Sequence, residues 1–501
     1  MPADSRYAVR YRDVFEIEDY LLLGAVLVLP WAFGGVEIWA YRTASLFLVG
    51  AAAVSLIRHG WDGLGLDRRA RWLLPALLLG VWAVLQVVPL PGGAVGILSP
   101  TAHALYESTF PGYPGRSDEP SHEAIEAQAL RQVPETEGLP GPARPEQPFE
   151  PQVGGRWSGW RPLSLLSGAG VERLHWYFAL LLGFLVARRR CADPDVAEGY
   201  RKAMFATFFA LAIFGLLYAA TPNGRLYWVR STLENARPFG PYVNPTNFAG
   251  VMELATPWLA GYTLLAWRRR SRSDPLIESR VPLLAAATLL CLLAALATAS
   301  KAAVALLAAA LLALALLAVR GRGRRVLVLA GAVLAVVVTV VSVRQLPLGD
   351  RLRDFLDTTG GEVSQVDRVV AWGASLEMLG DFAVTGSGFG SFREVFPAYL
   401  PAGEYKRWNR VHNDYLEVTL EGGAIAAVLL AWLIWSYWRR VTSGLLRRTH
   451  NHRDFARIGL VLGLLALSVH AFFDFNHQIP ANALLFTTMA AIAVARAEES
   501  R

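Results

Sequence analysis

The amino-acid sequence predicts an all-α integral membrane protein with about twelve transmembrane helices. Three observations carry that prediction. Apolar residues are 54% of the 501 residues and fall in runs of about twenty, the length needed to cross a ~30 Å hydrocarbon core. Arginines cluster in every second connection between those runs, the asymmetry that sets orientation in a bilayer. Only two connections are long and hydrophilic, residues 90–170 and 344–413.

The runs lie near 19–40, 41–57, 71–89, 171–188, 201–221, 246–267, 281–299, 302–319, 326–343, 414–438, 456–473 and 479–495. Pro30, Pro257 and Gly423 fall inside them. Membrane helices tolerate such residues because neighbouring groups satisfy the freed backbone. With the N-terminus inside, the cytoplasmic connections carry Arg68, Arg69 and Arg71; Arg188, Arg189 and Arg190; Arg268, Arg269, Arg270 and Arg272; Arg320, Arg322, Arg324 and Arg325; and Arg439, Arg440, Arg447 and Arg448. Both termini are then expected in the cytoplasm.

The organisation that follows is three helices over residues 1–89, an outer loop at 90–170, helices four to nine over 171–343, a second outer loop at 344–413 and helices ten to twelve over 414–501. The first run follows a mixed-charge segment and has no small-residue cleavage site behind it, so it reads as an uncleaved helix. The net charge of +7 reports topology. No basic–aromatic motif accompanies it, and nucleic acid is not an expected partner. Cys191 sits at a helix end and Cys291 in mid-membrane, so they are not expected to pair.

The first outer loop is rich in Pro, Gly and Glu, as over residues 134–142. Such composition predicts weak order in its middle, with a short helix over Ser121–Val133 that Ser121 could cap. It reads as a lid or spacer. The second loop places Val366, Val369, Val370, Trp372, Leu376, Met378 and Leu379 at helical spacing, which predicts a helix lying on the membrane surface or on the bundle. Gly386, Gly388 and Gly390 follow no strand of a βαβ unit and read as a tight turn rather than a nucleotide loop. Arg351, Arg353, Arg368, Arg393, Lys406, Arg407 and Arg410 lie outside, against the charge rule. They either pair with Asp350, Asp354, Asp357, Asp367 and Glu404 or meet an anionic headgroup or pyrophosphate. Arg368 and Arg410 are the leading candidates for the second role.

Polar groups also gather where helices emerge on that side. Asn244 suits an N-cap and Pro245 the first helical position. A helix start facing outward offers free N–H groups and partial positive charge to a phosphate, and Arg237 just before it could bind phosphate oxygens bidentately. Lys301 is a lone cation between two apolar helices, so it either reaches a cavity or snorkels to the interface. His412 is the only histidine of the second loop and stands at the mouth of helix ten. Asp414 and Glu417 have the spacing of a capping box there, and Glu421 points into the bundle. His470, Asp474 and His477 could ligate zinc if they shared one helical face. Residues 476–480 read as a turn that breaks that face, so no metal site is expected.

Taken in order, Asn244-Pro245-Thr246-Asn247, Thr298-Ala299-Ser300-Lys301, Asp367-Arg368 with Trp372 and Gly386-Ser387-Gly388, residues 411–417 with Glu421-Gly422, and Asp474-Phe475 with Ile479-Pro480-Ala481-Asn482 resemble the O-antigen ligase superfamily. That superfamily also contains Wzy-type polymerases and protein O-oligosaccharyltransferases. The core of the resemblance spans about residues 285–435 and its wider range about 235–485. One departure is Lys301, where the family usually has Arg; the charge survives and bidentate binding does not.

The resemblance implies a GT-C-like glycosyltransferase of the bacterial inner membrane that uses neither nucleotide-sugar, metal nor cofactor. The donor would be a glycan on undecaprenyl pyrophosphate at the periplasmic face, and the acceptor a glycan, a lipid A-core or a protein. His412 would be the base or positioning group for the acceptor hydroxyl, since an imidazole titrates near neutral pH. Arg237, Arg368, Arg410 and Lys301, with Asn244, would hold the pyrophosphate and its developing charge. The rival reading is a polytopic transporter or a flippase of lipid-linked glycans. Transporters place ionisable groups at the midplane and often repeat their halves, whereas here the charges gather at outer helix ends.

Overall fold

Hydrophobic runs broken by Pro, Gly and Arg become helices broken at those residues. In the computed structural model, residues 15–66, 68–110, 113–114, 159–232, 237–269, 275–319, 321–328, 365–401, 408–445 and 454–499 are described. Helix α1 is Ile17–Val28, α2 Ile38–His59 and α3 Leu74–Val87. Short helices α4, Gly92–Leu98, and α5, Pro100–Thr109, follow. Then come α6, Ser167–Arg190; α7, Pro194–Ala220; α8, Pro245–Arg269; α9, Pro275–Ala297; and α10, Lys301–Ala318. Helix α11 is Gln365–Asp381, α12 Phe392–Val395, α13 Asp414–Thr442, α14 Phe455–His470 and α15 Pro480–Glu499. Among the described residues, seven helices are long and apolar enough to cross a membrane, and Val281–Ala297 and Phe455–His470 are shorter apolar helices.

The first two predicted runs are divided differently from expectation. Helix α1 stops at Val28, and two 3-10 turns, Leu29–Trp31 and Phe33–Gly35, carry the chain to α2. Pro30 and the left-handed Gly34 and Gly35, at φ 68° and 77°, explain the break, since neither continues an α-helix. The ninth predicted run and the helix expected over Ser121–Val133 lie wholly or largely outside the described residues.

Helices α8 and α15 form the buried centre of the bundle. Helix α8 packs closely on α14: a methyl group on Gly459 would run into the Pro257 carbonyl, and one on Gly463 into that of Leu254. Small residues at such an interface let two helix backbones approach. Leu46, Ile57 and Val428, on α2 and α13, are largely exposed, as lipid-facing side chains are.

Arginines expected only to mark topology also fasten one end of the bundle. Arg190 binds Asp19 at 2.6 Å and Arg188 and Arg440 both reach Glu498; a further arginine outside those clusters, Arg496, binds Asp454 at 2.9 Å.

At the opposite end a second hydrophobic cluster joins both outer loops. It contains Val95, Tyr106 and Leu163 from the first, and Met378, Phe392, Phe396, Trp408 and Val411 from the second. A two-stranded ladder, β1 Leu90–Pro91 with antiparallel β2 Trp160–Arg161, closes the flanks of the first loop. The Tyr106 hydroxyl adds bonds to the Pro162 and Ser164 carbonyls at 3.2 and 3.1 Å. These flanks are therefore folded. The middle of that loop, residues 115–158, is outside the described residues.

Helix α13 is broken at Gly423, whose φ of 69° and ψ of −171° are open only to glycine without strain. The break frees carbonyls that would be costly to bury unpaired. Leu420 and Glu421 accept from the backbone N–H groups of Ser387 and Gly388 at 3.1 and 2.9 Å. Gln86 and Trp82 of α3 donate to Glu421 and Gly422 at 2.9 and 2.8 Å. The glycine run is thus a turn seated in the helix break, as its composition predicts, with positive φ at Gly386, Gly388 and Gly390.

Candidate active site

A cavity of about 920 Å³ lies at this end of the bundle, within the ~300–1,000 Å³ range of small-molecule sites. Its walls are the N-terminal parts of α2, α6, α8 and α11, Gly390 and Arg393 at α12, the segment 409–412 and the turn 474–480. Arg237, Asn244, Arg368, Arg410 and His412, which come from three separate stretches of sequence, all line it. Lys301 does not: it opens α10 with an exposed side chain outside this lining.

His412 adopts φ 56°, a left-handed conformation uncommon outside glycine. Its ring is fixed between Trp408 and Phe475, with centroids 6.2 and 4.9 Å away. Nδ1 stands 3.3 Å from Asp474 Oδ1, a close approach rather than an aligned hydrogen bond. Burial by itself would raise the Asp474 carboxyl, but His412 beside it, and then His470, hold it below the usual carboxylate range. A carboxylate facing Nδ1 leaves Nε2 as the ring nitrogen for proton transfer, the arrangement in which a third group orients a base.

Arg410 binds Glu417 at 2.7 Å, and the other Glu417 oxygen accepts from the Val411 N–H at 3.1 Å. Burial would lower the Arg410 guanidinium, but Glu417 and Glu421 hold it above its usual range. The expected capping box is corrected here. The N-cap of α13 is Asn413, whose side chain accepts from the Leu416 N–H at 3.0 Å. Asp414 instead accepts from the His477 backbone N–H at 2.9 Å and meets its ring nitrogen at 3.2 Å. The capping group stands one residue earlier because Asn413 is the residue with extended φ and ψ, which frees both carboxylates to tie the loop to its surroundings.

Asn244 caps α8 as predicted, accepting from the Thr246 N–H at 2.7 Å. Arg368, in the first turn of α11, donates to the Phe473 carbonyl at 3.0 Å. Trp372 donates to the Val411 carbonyl at 3.0 Å, which fastens α11 to the His412 segment. Five guanidiniums line the cavity: those of Arg173, Arg237, Arg368, Arg393 and Arg410. Of the two carboxylates in the lining, Asp474 faces His412, while Glu172 is held by Tyr41 and Arg42. Arg173, Arg237 and Arg368 form no ion pair among the described residues, so the cavity carries net positive charge and suits a multiply charged anion.

An O-antigen ligase family model matches residues 286–431. The chain carries an O-antigen ligase domain. The family resemblance read from the ordered motifs is thereby borne out over those residues, and the matched domain together with the apolar helices supports a multi-pass membrane enzyme of the O-antigen ligase or polymerase kind. No curated protein matches it in a sequence search.

The O-antigen ligase domain supplies Lys301, Arg368, Arg410 and His412, whereas Arg237, Asn244 and Asp474 lie outside the matched segment. Arg173 and Trp176 were not anticipated by sequence reasoning. A signal existed for Arg173, a basic residue at the start of a membrane helix on the side expected to face outward, where the charge rule disfavours one. Asp474 was read with His470 and His477 as a possible zinc set and within the ordered family segments, but not as a partner of His412. Each of the three has a separate partner instead: His470 Nδ1 lies 2.9 Å from Glu253 Oε1, and His477 meets Asp414.

Proposed function

We propose that this chain is a membrane glycosyltransferase that takes a glycan from undecaprenyl pyrophosphate at the periplasmic face of the bacterial inner membrane and joins it to an acceptor hydroxyl. The supporting observation is the convergence of Arg237, Arg368 and Arg410 with His412 and Asn244 on one cavity. Arg173 is added to that set.

In this reading the pyrophosphate binds among the guanidiniums, whose planar donors match its oxygens. Nε2 of His412 takes the proton of the acceptor hydroxyl as its oxygen bonds to the anomeric carbon. The bond from that carbon to the pyrophosphate oxygen breaks, and the electron pair leaves with undecaprenyl pyrophosphate. The arginines stabilise the charge as it develops. Asp474 stabilises the imidazolium, which then gives its proton to solvent or to the departing phosphate. A GT-C-like bundle of twelve helices with both termini cytoplasmic is part of the same proposal.

The test is complementation of a strain deleted for this protein, with surface polysaccharide resolved on gels. His412→Ala and Arg368→Ala are expected to give no assembled glycan while membrane levels persist. Normal glycan from His412→Ala would sink the mechanism. In the deletion strain itself, loss of the ladder with one repeat retained identifies a polymerase, and free unattached polymer identifies a ligase.

A further inference from the structure

Glu253 and His470 have no part in the transfer chemistry proposed above. Glu253 lies about two turns inside α8 and is 0% exposed, His470 ends α14 at 1%, and Asp474 beside them is at 2%. An ionisable group so deep in a membrane bundle is expensive and marks function by default. Helices α8 and α14 approach closely, and a methyl on Gly463 would strike the Leu254 carbonyl. Glu253 Oε1 stands 2.9 Å from His470 Nδ1. Both Glu253 oxygens are sealed from solvent without an aligned hydrogen bond among the described residues.

Asp474 follows His470 by four residues through a turn closed by the Phe473 N–H on the His470 carbonyl at 2.8 Å, and Asp474 Oδ1 is 3.3 Å from His412 Nδ1. The four groups form an ordered file, Glu253, His470, Asp474, His412, running from the bundle interior to the cavity wall.

We propose that Glu253, acting through His470, is a positioning residue that keeps Asp474 aimed at His412 during glycan transfer. The inference rests on the reading of His412 as the base. A buried carboxylate fixes one imidazole, and that imidazole fixes the second carboxylate, so the base is oriented from behind by two layers rather than one. No proton has to travel the file. Its role is to hold geometry while His412 gains and loses a proton.

The test uses full-length enzyme in nanodiscs, with lipid-linked glycan extracted from membranes of the deletion strain as donor. Glu253→Gln preserves shape and removes the charge. It is expected to lower kcat about tenfold or more while donor KM stays within about twofold, as loss of an orienting partner does. In an Asp474→Asn background it should change kcat by less than about twofold, because groups acting as one unit are not additive. A merely structural pair would give additive losses. If Glu253→Gln does not accumulate, His470→Gln is compared in the same two backgrounds. Wild-type kcat for Glu253→Gln, or losses that multiply with Asp474→Asn, overturn the relay; an inactive His412→Ala then leaves the parent reading standing. Full turnover by His412→Ala overturns both.

Discussion

The residue on which the proposed chemistry turns was legible because it was out of place. His412 is the only histidine in a loop whose basic residues break the charge rule, and it lies 3.3 Å from a buried carboxylate. That carboxylate was not legible as its partner. Asp474 follows α14 in the sequence, far from His412, and nothing local links them; short spacing pointed to His470 and His477 instead. Asp474→Asn tests the pairing. The imidazolium would lose its counter-charge with little change of shape, and transfer should fall by ~10²-fold or more, measured as kcat in reconstituted enzyme. An activity within twofold of wild type would remove Asp474 from the mechanism. Arg173 gives a second residue-level prediction. It lines the cavity without an ion pair among the described residues, so Arg173→Ala should weaken pyrophosphate binding by ~1.5–3 kcal/mol, the worth of a charged hydrogen bond. A roughly tenfold or greater rise in donor KM is the expected reading, and an unchanged KM would place the anion elsewhere.

Elements were legible where periodicity and punctuation agreed. Pro245 after Asn244 gave the start of α8, and the glycine run gave a turn. The buried face of α11 was harder. Val369 and Leu376, taken as part of its apolar stripe, are 66% and 64% exposed, whereas Ala371, Ser375 and Met378 are buried. A helix pressed between a bundle and a bilayer has two apolar surroundings, and hydropathy cannot say which face meets which. The break in α13 was likewise invisible as a break, because glycine is ordinary in membrane helices. Its consequence is testable. Gly423→Ala would force a side chain into a conformation that costs ~1–3 kcal/mol and into contact with the Val384 carbonyl and Gly386. The Glu421 and Gly386 segments should then separate. Lower thermal stability in detergent is expected, together with reduced activity. A variant as stable as wild type would mean the break is not set by this residue.

At the scale of the whole molecule, charge placement and helix length gave the bundle, and the structure adds what the charges do once placed. Arg188, Arg190, Arg440 and Arg496 are partnered by acidic groups at one end, while Arg173, Arg237 and Arg368 converge on a cavity at the other. The same residue type serves two purposes, and the positive-inside rule distinguishes them only if the cavity end faces outward. Helix α6 links the two ends directly, with Arg173 on the cavity and Arg188 and Arg190 at the far terminus. Orientation can therefore be measured with one cysteine at each end. Cys191 and Cys291 are 0% exposed and should contribute little background. The side chains of Glu394 and Lys202 are 53% and 57% exposed, on α12 at the cavity end and near the start of α7 at the arginine-fastened end. In spheroplasts, a membrane-impermeant maleimide should label Glu394→Cys and leave Lys202→Cys untouched until the membrane is permeabilised. The opposite pattern would put the cavity in the cytoplasm, where the proposed lipid-linked donor would have to be met on the other leaflet.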